Sequence, residues 1–134
     1  MRRHPALRDL SSEHHAGLVL VRRARRAAQL AAPQAAVAWQ EVRHRFYGEL
    51  EAHFTAEEQG LLPALREAGE TALVERTLRE HAALRALIAD RQPRLQQFAE
   101  MLGAHIRFEE RELFETAQRL LDDQVLRALT PSDA

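Results

Sequence analysis

The sequence predicts an all-α protein, an antiparallel up-down-up-down four-helix bundle with a short fifth helix near the C-terminal end. Three observations lead there. The 134 residues are rich in Arg, Ala, Leu and Glu, all good helix formers, and hold only five Gly and five Pro. Apolar residues recur at three- and four-residue spacing over long stretches, and no alternating run of useful strand length occurs. The breakers fall between those stretches, and short connections between amphipathic helices set neighbours antiparallel. The length fits a single domain over residues 1–134, with its helical core at about 7–121.

The first helix runs from about Leu7 to Leu30, with Leu7, Leu10, His14, Leu18, Val21, Ala24 and Ala28 on one stripe. Arg22, Arg23, Arg25 and Arg26 occupy its outer side and read as a solvated face rather than a docking patch. Pro33 suits a first turn, so a second helix starts there and reaches Gln59-Gly60 through Trp39, Val42, Phe46, Leu50, His53 and Glu57. Leu61 to Gly69, with Pro63 inside, reads as a connector with a short helical piece. The third helix covers about Glu70 to Asp90 through Leu73, Thr77, Leu78, His81, Leu84 and Ile88, and Pro93 marks the next break. The fourth reaches about Leu121 through Phe98, Met101, Leu102, His105, Glu109 and Leu113. The segment from Asp122 to Leu129 adds the short fifth helix before Thr130-Pro131.

Whole classes of function are excluded by composition. The absence of cysteine removes disulfides, a cysteine nucleophile, iron–sulfur clusters and thiolate zinc sites. Nineteen Lys+Arg, all of them arginine, against twenty Asp+Glu leave a formal charge of −1, so there is no bulk attraction for nucleic acid or an anionic membrane. No apolar run approaches membrane-spanning length, and the charged N-terminus is no signal peptide. A cytoplasmic protein is expected, as a monomer or a weak homodimer.

The anomaly lies inside the apolar stripes. A buried charge without a partner costs several kcal/mol, yet each helix brings a histidine inward and two add a glutamate four residues on. These are His53-Phe54-Thr55-Ala56-Glu57 and His105-Ile106-Arg107-Phe108-Glu109, and residues four apart share one helix face. Their levels agree as well. His14 lies 19 residues before Pro33 and His53 lies 20 after it, while His81 and His105 each lie 12 residues from Pro93. Equal arms from a turn bring residues to the same height in an antiparallel hairpin. Converging imidazoles and carboxylates are what a metal site requires, and coordination removes the burial penalty. Four imidazoles and two carboxylates suit two ferrous or ferric ions, each with two histidines and a share of both glutamates. An oxo or hydroxo bridge adds a further ligand and leaves one position open on each ion. Zinc or manganese can fill a site of this composition too, because donor type discriminates weakly among these ions.

At these residues the sequence resembles the hemerythrin-like family, or HHE cation-binding domains, of the four-histidine, two-glutamate type. The matching pieces are Glu13-His14-His15, His53 to Glu58, Glu80-His81, and His105 to Glu110 followed by Leu113-Phe114, spread over Asp9 to Leu121. The resemblance implies a non-haem di-iron centre bridged by Glu57 and Glu109, with His53, His81, His105 and one of His14 and His15 as its histidines. Helical period favours His14, one turn from Leu10 and from Leu18, while family spacing suits His15, and both stand as candidates. Two departures shape the functional expectation. Oxygen carriers of the family place two histidines at i and i+4 on the third helix, but His81 has Thr77 before it and Arg85 after it. They also place an aspartate one residue beyond the position of Glu109. The set here is more similar to the branch that repairs iron centres and responds to nitric oxide, although the extra segments of that branch are absent.

Among other residues, His4 reads as a disordered-terminus histidine, His44 as a surface residue and Tyr47 as a bundle-edge aromatic. Phe54, Phe108 and Phe114 read as core that also walls the metals from water. Glu58, Glu110 and Glu112 face away from the stripe, as solvated residues or as partners of the ligands, with Glu58 the best placed of them for an extra ligand. The function expected is a di-iron protein that binds or reacts with O2, NO or peroxide in sensing, scavenging or iron donation. The rivals are a binding module in which metal occupancy controls a partner interaction, and a metal-free bundle whose inward histidines are hydrogen-bonded core residues. Ligands alone do not reveal turnover.

Overall fold

The computed structural model describes residues 2–129, and among these no strand occurs. A 3-10 turn at Pro5–Leu7 leads into α1, Arg8–Ala27. The second bundle helix, α2, runs over 32–67 as three α segments, Ala32–Arg45, Glu51–Ala56 and Leu62–Glu67, joined by π turns at Phe46–Leu50 and Glu57–Leu61. α3 is Thr71–Ile88. α4 covers 95–120 as Leu95–Phe108, a π turn at Glu109–Leu113 and Phe114–Leu120. The short α5, Asp123–Ala128, starts on an Asp122 cap whose carboxylate accepts the Val125 N–H at 2.8 Å. No helix among the described residues is long and apolar enough to cross a membrane.

The expected connector at Leu61 to Gly69 is mostly helix instead. The π turn shifts the ladder so that the Leu62 N–H bonds to the Glu57 carbonyl, five residues back. Pro63 then falls in the first turn of a new α segment, where its missing N–H costs little. The chain leaves that segment through Gly69, whose φ of +95° lets the Glu70 N–H reach back to the Leu65 carbonyl at 2.9 Å.

Two apolar clusters fill the bundle. One, toward the turns at Pro33 and Pro93, gathers Leu20, Val21, Trp39, Phe46, Leu84, Ile88, Phe98 and Leu102 among others. The other, at the opposite end, gathers Leu7, Leu61, Leu65, Val74, Leu113 and Phe114 with Leu126 of α5. α1 and α4 make the most extensive contact between helices. It is close because Gly17 has no side chain: a Cβ there would stand 2.9 Å from Ile106 Cδ1. The expected stripe put Leu18 inward, but Leu18 is partly exposed and Gly17 and Leu20 take the interior. Trp39 is fully buried in α2 and donates its indole N–H to the Asp90 carbonyl at 2.8 Å, tying α2 to the end of α3.

Candidate metal centre

Between the two apolar clusters lies a polar layer made of His14, His53, Glu57, Thr77, His81, His105 and Glu109, all buried. Thr77 is explained locally, since its hydroxyl donates to the Leu73 carbonyl one turn back at 2.9 Å. The other six form one cluster.

Each inward carboxylate divides its oxygens between two pairs of histidines. Glu109 Oε1 lies 2.9 Å from His14 Nε2 and 3.6 Å from His53 Nε2, while its Oε2 lies 3.1 Å from His105 Nε2 and 3.7 Å from His81 Nε2. Glu57 Oε2 lies 3.5 Å from His53 Nε2, and its Oε1 lies 3.0 Å from His81 Nε2. Most of these contacts are not hydrogen bonds. The Nε2 atoms of His53, His81 and His105, both oxygens of Glu57 and Oε2 of Glu109 are buried without a hydrogen-bond partner. Orphaned polar atoms are rare in protein interiors, and six converging in one layer need a common partner.

The outer ring nitrogens are all satisfied, in a regular way. His53 Nδ1 meets Glu13 at 3.3 Å, His81 Nδ1 meets Glu58 at 2.8 Å, His105 Nδ1 meets Glu80 at 2.7 Å and His14 Nδ1 meets Glu110 at 2.9 Å. A carboxylate only accepts, so each Nδ1 donates and each Nε2 is the atom left facing inward. Each glutamate holds the histidine of the next helix, α1 to α2, α2 to α3, α3 to α4 and α4 back to α1, which closes a ring around the bundle. Arginines back three of the four: Arg3 on Glu110 at 2.8 Å, Arg85 on Glu58 at 2.7 Å and Arg76 on Glu80 at 2.9 Å. Aromatic rings complete the walls. Phe54 stacks on His81 at 4.0 Å between centroids, Phe114 stacks on His14 at 5.4 Å, and Arg76 lies over Phe108 at 3.9 Å.

The electrostatics follow from this crowding. Burial opposes charge on His53, but the facing carboxylates of Glu109 and Glu57 outweigh it and raise its pKa to about 11. The same balance raises His81 and His105 to about 9. The two glutamates separate. Burial and the neighbouring Glu109 charge push Glu57 up, whereas burial of Glu109 is overcome by His105, His14 and His53, which hold it well below the carboxylate range.

Of the residues proposed from sequence, His14, His53, Glu57, His81, His105 and Glu109 meet in this layer. Their donor atoms form two groups, Glu57 with His81, His105 and Glu109, and His14 with His53 and Glu109, each within 4.8 Å. His15 does not join them. One residue from His14 is about 100° of helix rotation, and that places His15 on the exposed face. Glu58 faces the outer nitrogen of His81 and the Arg85 guanidinium rather than the cluster, and Glu110 does the same for His14. His44 is exposed and Tyr47 is half exposed on the edge of Phe46. His4 is more ordered than expected: its ring caps the Pro5–Leu7 turn through the Ala6 N–H and meets Asp123 at 2.8 Å. Sequence reasoning missed Glu13 and Glu80 as holders of histidines. The available signal was an acid adjacent to each inward group, as in Glu13-His14, Glu57-Glu58, Glu80-His81 and Glu109-Glu110. One helical step turns such a residue toward the neighbouring helix.

The donor set fits a metal: imidazole Nε2 atoms, which give up their protons to an ion, and carboxylate oxygens, with the outer nitrogens fixed by acids. Comparison with curated proteins and with solved structures gives no significant match. A family model described as the hemerythrin HHE cation-binding domain matches residues 6–117, a span that contains every member of the cluster. The chain thus belongs to the hemerythrin family of HHE cation-binding domains, and the buried imidazoles and carboxylates of its polar layer, which could hold a metal ion, lie within the matched span.

Proposed function

We propose that the polar layer holds two iron ions, one on His14 and His53 and the other on His81 and His105, with Glu57 and Glu109 shared between them, and that the centre binds or reacts with O2, NO or peroxide. The observation that carries this reading is the division of each carboxylate between two histidine pairs, with orphaned atoms on both sides. When bound, such an ion pair supplies open coordination positions and electrons for small oxidants. The residues of the chain do the rest. The outer glutamates orient the imidazoles and strengthen Nε2 as a donor. Phe54 and Phe114 lie flat against His81 and His14 and limit water at the layer. Thr77, one turn before His81, directs its hydroxyl to its own helix and adds no further imidazole, which favours reaction at the ions over a saturated site.

The test is metal analysis of anaerobically purified protein, followed by its absorption spectrum after adding O2 or NO. Two irons per chain and a new near-ultraviolet band with either gas are expected. One zinc, or no metal after anaerobic Fe(II) is offered, overturns the reading.

A further inference from the structure

The ring of outer glutamates is closed in topology but uneven in strength. Glu58, Glu80 and Glu110 are each anchored by an arginine, and Ser11 adds a hydroxyl to Glu110 at 2.6 Å. Arg85 also grips Glu51 at 2.6 Å, which fixes the guanidinium that holds Glu58. Glu13 differs on every count. Its side chain is 49% exposed, its bond to His53 is the longest of the four at 3.3 Å, and no arginine meets it among the described residues.

Glu13 also forms the wall of a cavity of about 580 Å³ between the start of α1 and the π turn of α2, lined by Leu7, Asp9, Leu10, Ala56 and Leu61. No basic residue lines this cavity, and Asp9 and Glu13 stand one helical turn apart on α1. The rim therefore attracts cations, whereas the α1–α2 cavity at the far end of the bundle is lined by Arg23, Arg26 and Arg45 against Glu41 and is net repulsive to them. A metal-bound histidine keeps its orientation only while its outer nitrogen is held, and loss of that partner typically costs 10–100-fold in metal affinity. His53 is thus the ligand most readily released, and Glu13, which holds it, lines a cavity that carries two acids and no base.

We propose, building on the di-iron reading, that Glu13 and the cavity it lines form an exchange gate for the His14/His53 half of the centre. The ion on that half enters last and leaves first through this cavity, while the ion on His81 and His105 is retained. The two halves of the site, although matched in ligands, then serve as a labile and a resident position.

Anaerobic protein loaded with two Fe(II) per chain is mixed with a chromogenic ferrous chelator, and release is followed in time. Two phases of equal amplitude are expected. Glu13→Gln accelerates the fast phase about 10-fold or more and leaves the slow one unchanged, while Glu58→Gln accelerates the slow phase. Ala56→Phe, which fills the cavity from an exposed helical position, slows both release and reloading of the fast ion without changing its affinity. Glu13 and Ala56 are outside the core, so both variants fold, and helical circular dichroism verifies it. A single release phase, equal acceleration of both phases by Glu13→Gln, or unchanged exchange in Ala56→Phe overturns the gate. Uptake of fewer than two irons by the parent protein overturns the di-iron reading instead, and the two failures are distinguishable.

Discussion

His14 and His15 are adjacent, yet one is buried against Glu109 and Glu110 and the other faces solvent. The contrast makes a direct test at the scale of single residues. His15→Ala retains the metal content of the parent and changes stability by less than about 0.5 kcal/mol, as surface substitutions do. Glu109→Gln keeps the volume but removes the charge facing four imidazoles, and elemental analysis should find the bound metal lost. The pH dependence has two opposite signs. In metal-free protein His53, His81 and His105 have pKa values raised to about 11, 9 and 9. A raised histidine contributes stability fully below its unfolded value near 6.5 and loses it as pH rises through the folded value. The melting temperature of the metal-free protein should therefore fall between about pH 6.5 and 9. Over the same range metal affinity should rise, because each ion displaces protons from these nitrogens. Thermal melting of the metal-free protein across this range checks the first sign, and calorimetric titration with metal at several pH values, with proton release counted from buffer dependence, checks the second.

At the scale of helices, the inward glutamates coincide with changes in helix type. π turns begin on Glu57 and on Glu109, and after each the ladder reconnects five residues back, Leu62 to Glu57 and Phe114 to Glu109. The extra residue rotates everything downstream, so Leu61, Leu62 and Leu65 in α2 and Leu113, Phe114 and Ala117 in α4 reach the second apolar cluster. An uninterrupted 3.6-residue period from Glu57 would turn Leu62 and Leu65 partly outward. The α1–α4 contact is the other element-scale feature. Gly17→Leu would force its side chain toward Ile106 Cδ1 and Leu50 Cδ2, which stand 2.9 and 3.6 Å from the first added carbon. It should cost about 1–3 kcal/mol by urea unfolding, as overpacked cores do. It should also lower metal content, since His14 lies one turn before Gly17 and must keep its approach to α4.

Across the whole molecule, the polar layer interrupts an otherwise apolar interior. Its four histidines and two glutamates come from all four long helices, so the layer joins them or, without a cation, leaves buried polar atoms unpaired where the two clusters meet. Ion binding should stabilise the fold by about 4 kcal/mol at a free metal concentration a thousand times the Kd. Thermal denaturation with and without chelator measures this, and limited proteolysis gives a second readout: the loaded protein should resist digestion and the chelated protein yield. Equal digestion rates would refute the coupling, and with it any role in which occupancy itself is the signal. Such a role is the rival reading in which metal content governs docking of a partner.

Much of this architecture is legible in the sequence alone. Local propensity and the placing of Pro33 and Pro93 determined four long helices and their antiparallel order, because helix formation and termination are properties of neighbouring residues. The i and i+4 pairs His53/Glu57 and His105/Glu109 were legible for the same reason: one helix suffices to place both members on one face. What lay beyond the sequence depended on separate helices meeting. Whether His14 or His15 turns inward rests on the rotation of α1, which is set where Gly17 lets α1 settle against Ile106 of α4. The continuation of α2 past Gly60 rests on a π turn that no local propensity favours. The reach of Glu13, Glu58, Glu80 and Glu110 to histidines on the next helix exists only once the bundle closes, since each bond joins residues at least 23 positions apart. Chain-local forces determined the inward histidines and glutamates and the helices that carry them. The orientation of those side chains, and the unequal hold on the two halves of the layer, were decided by tertiary packing.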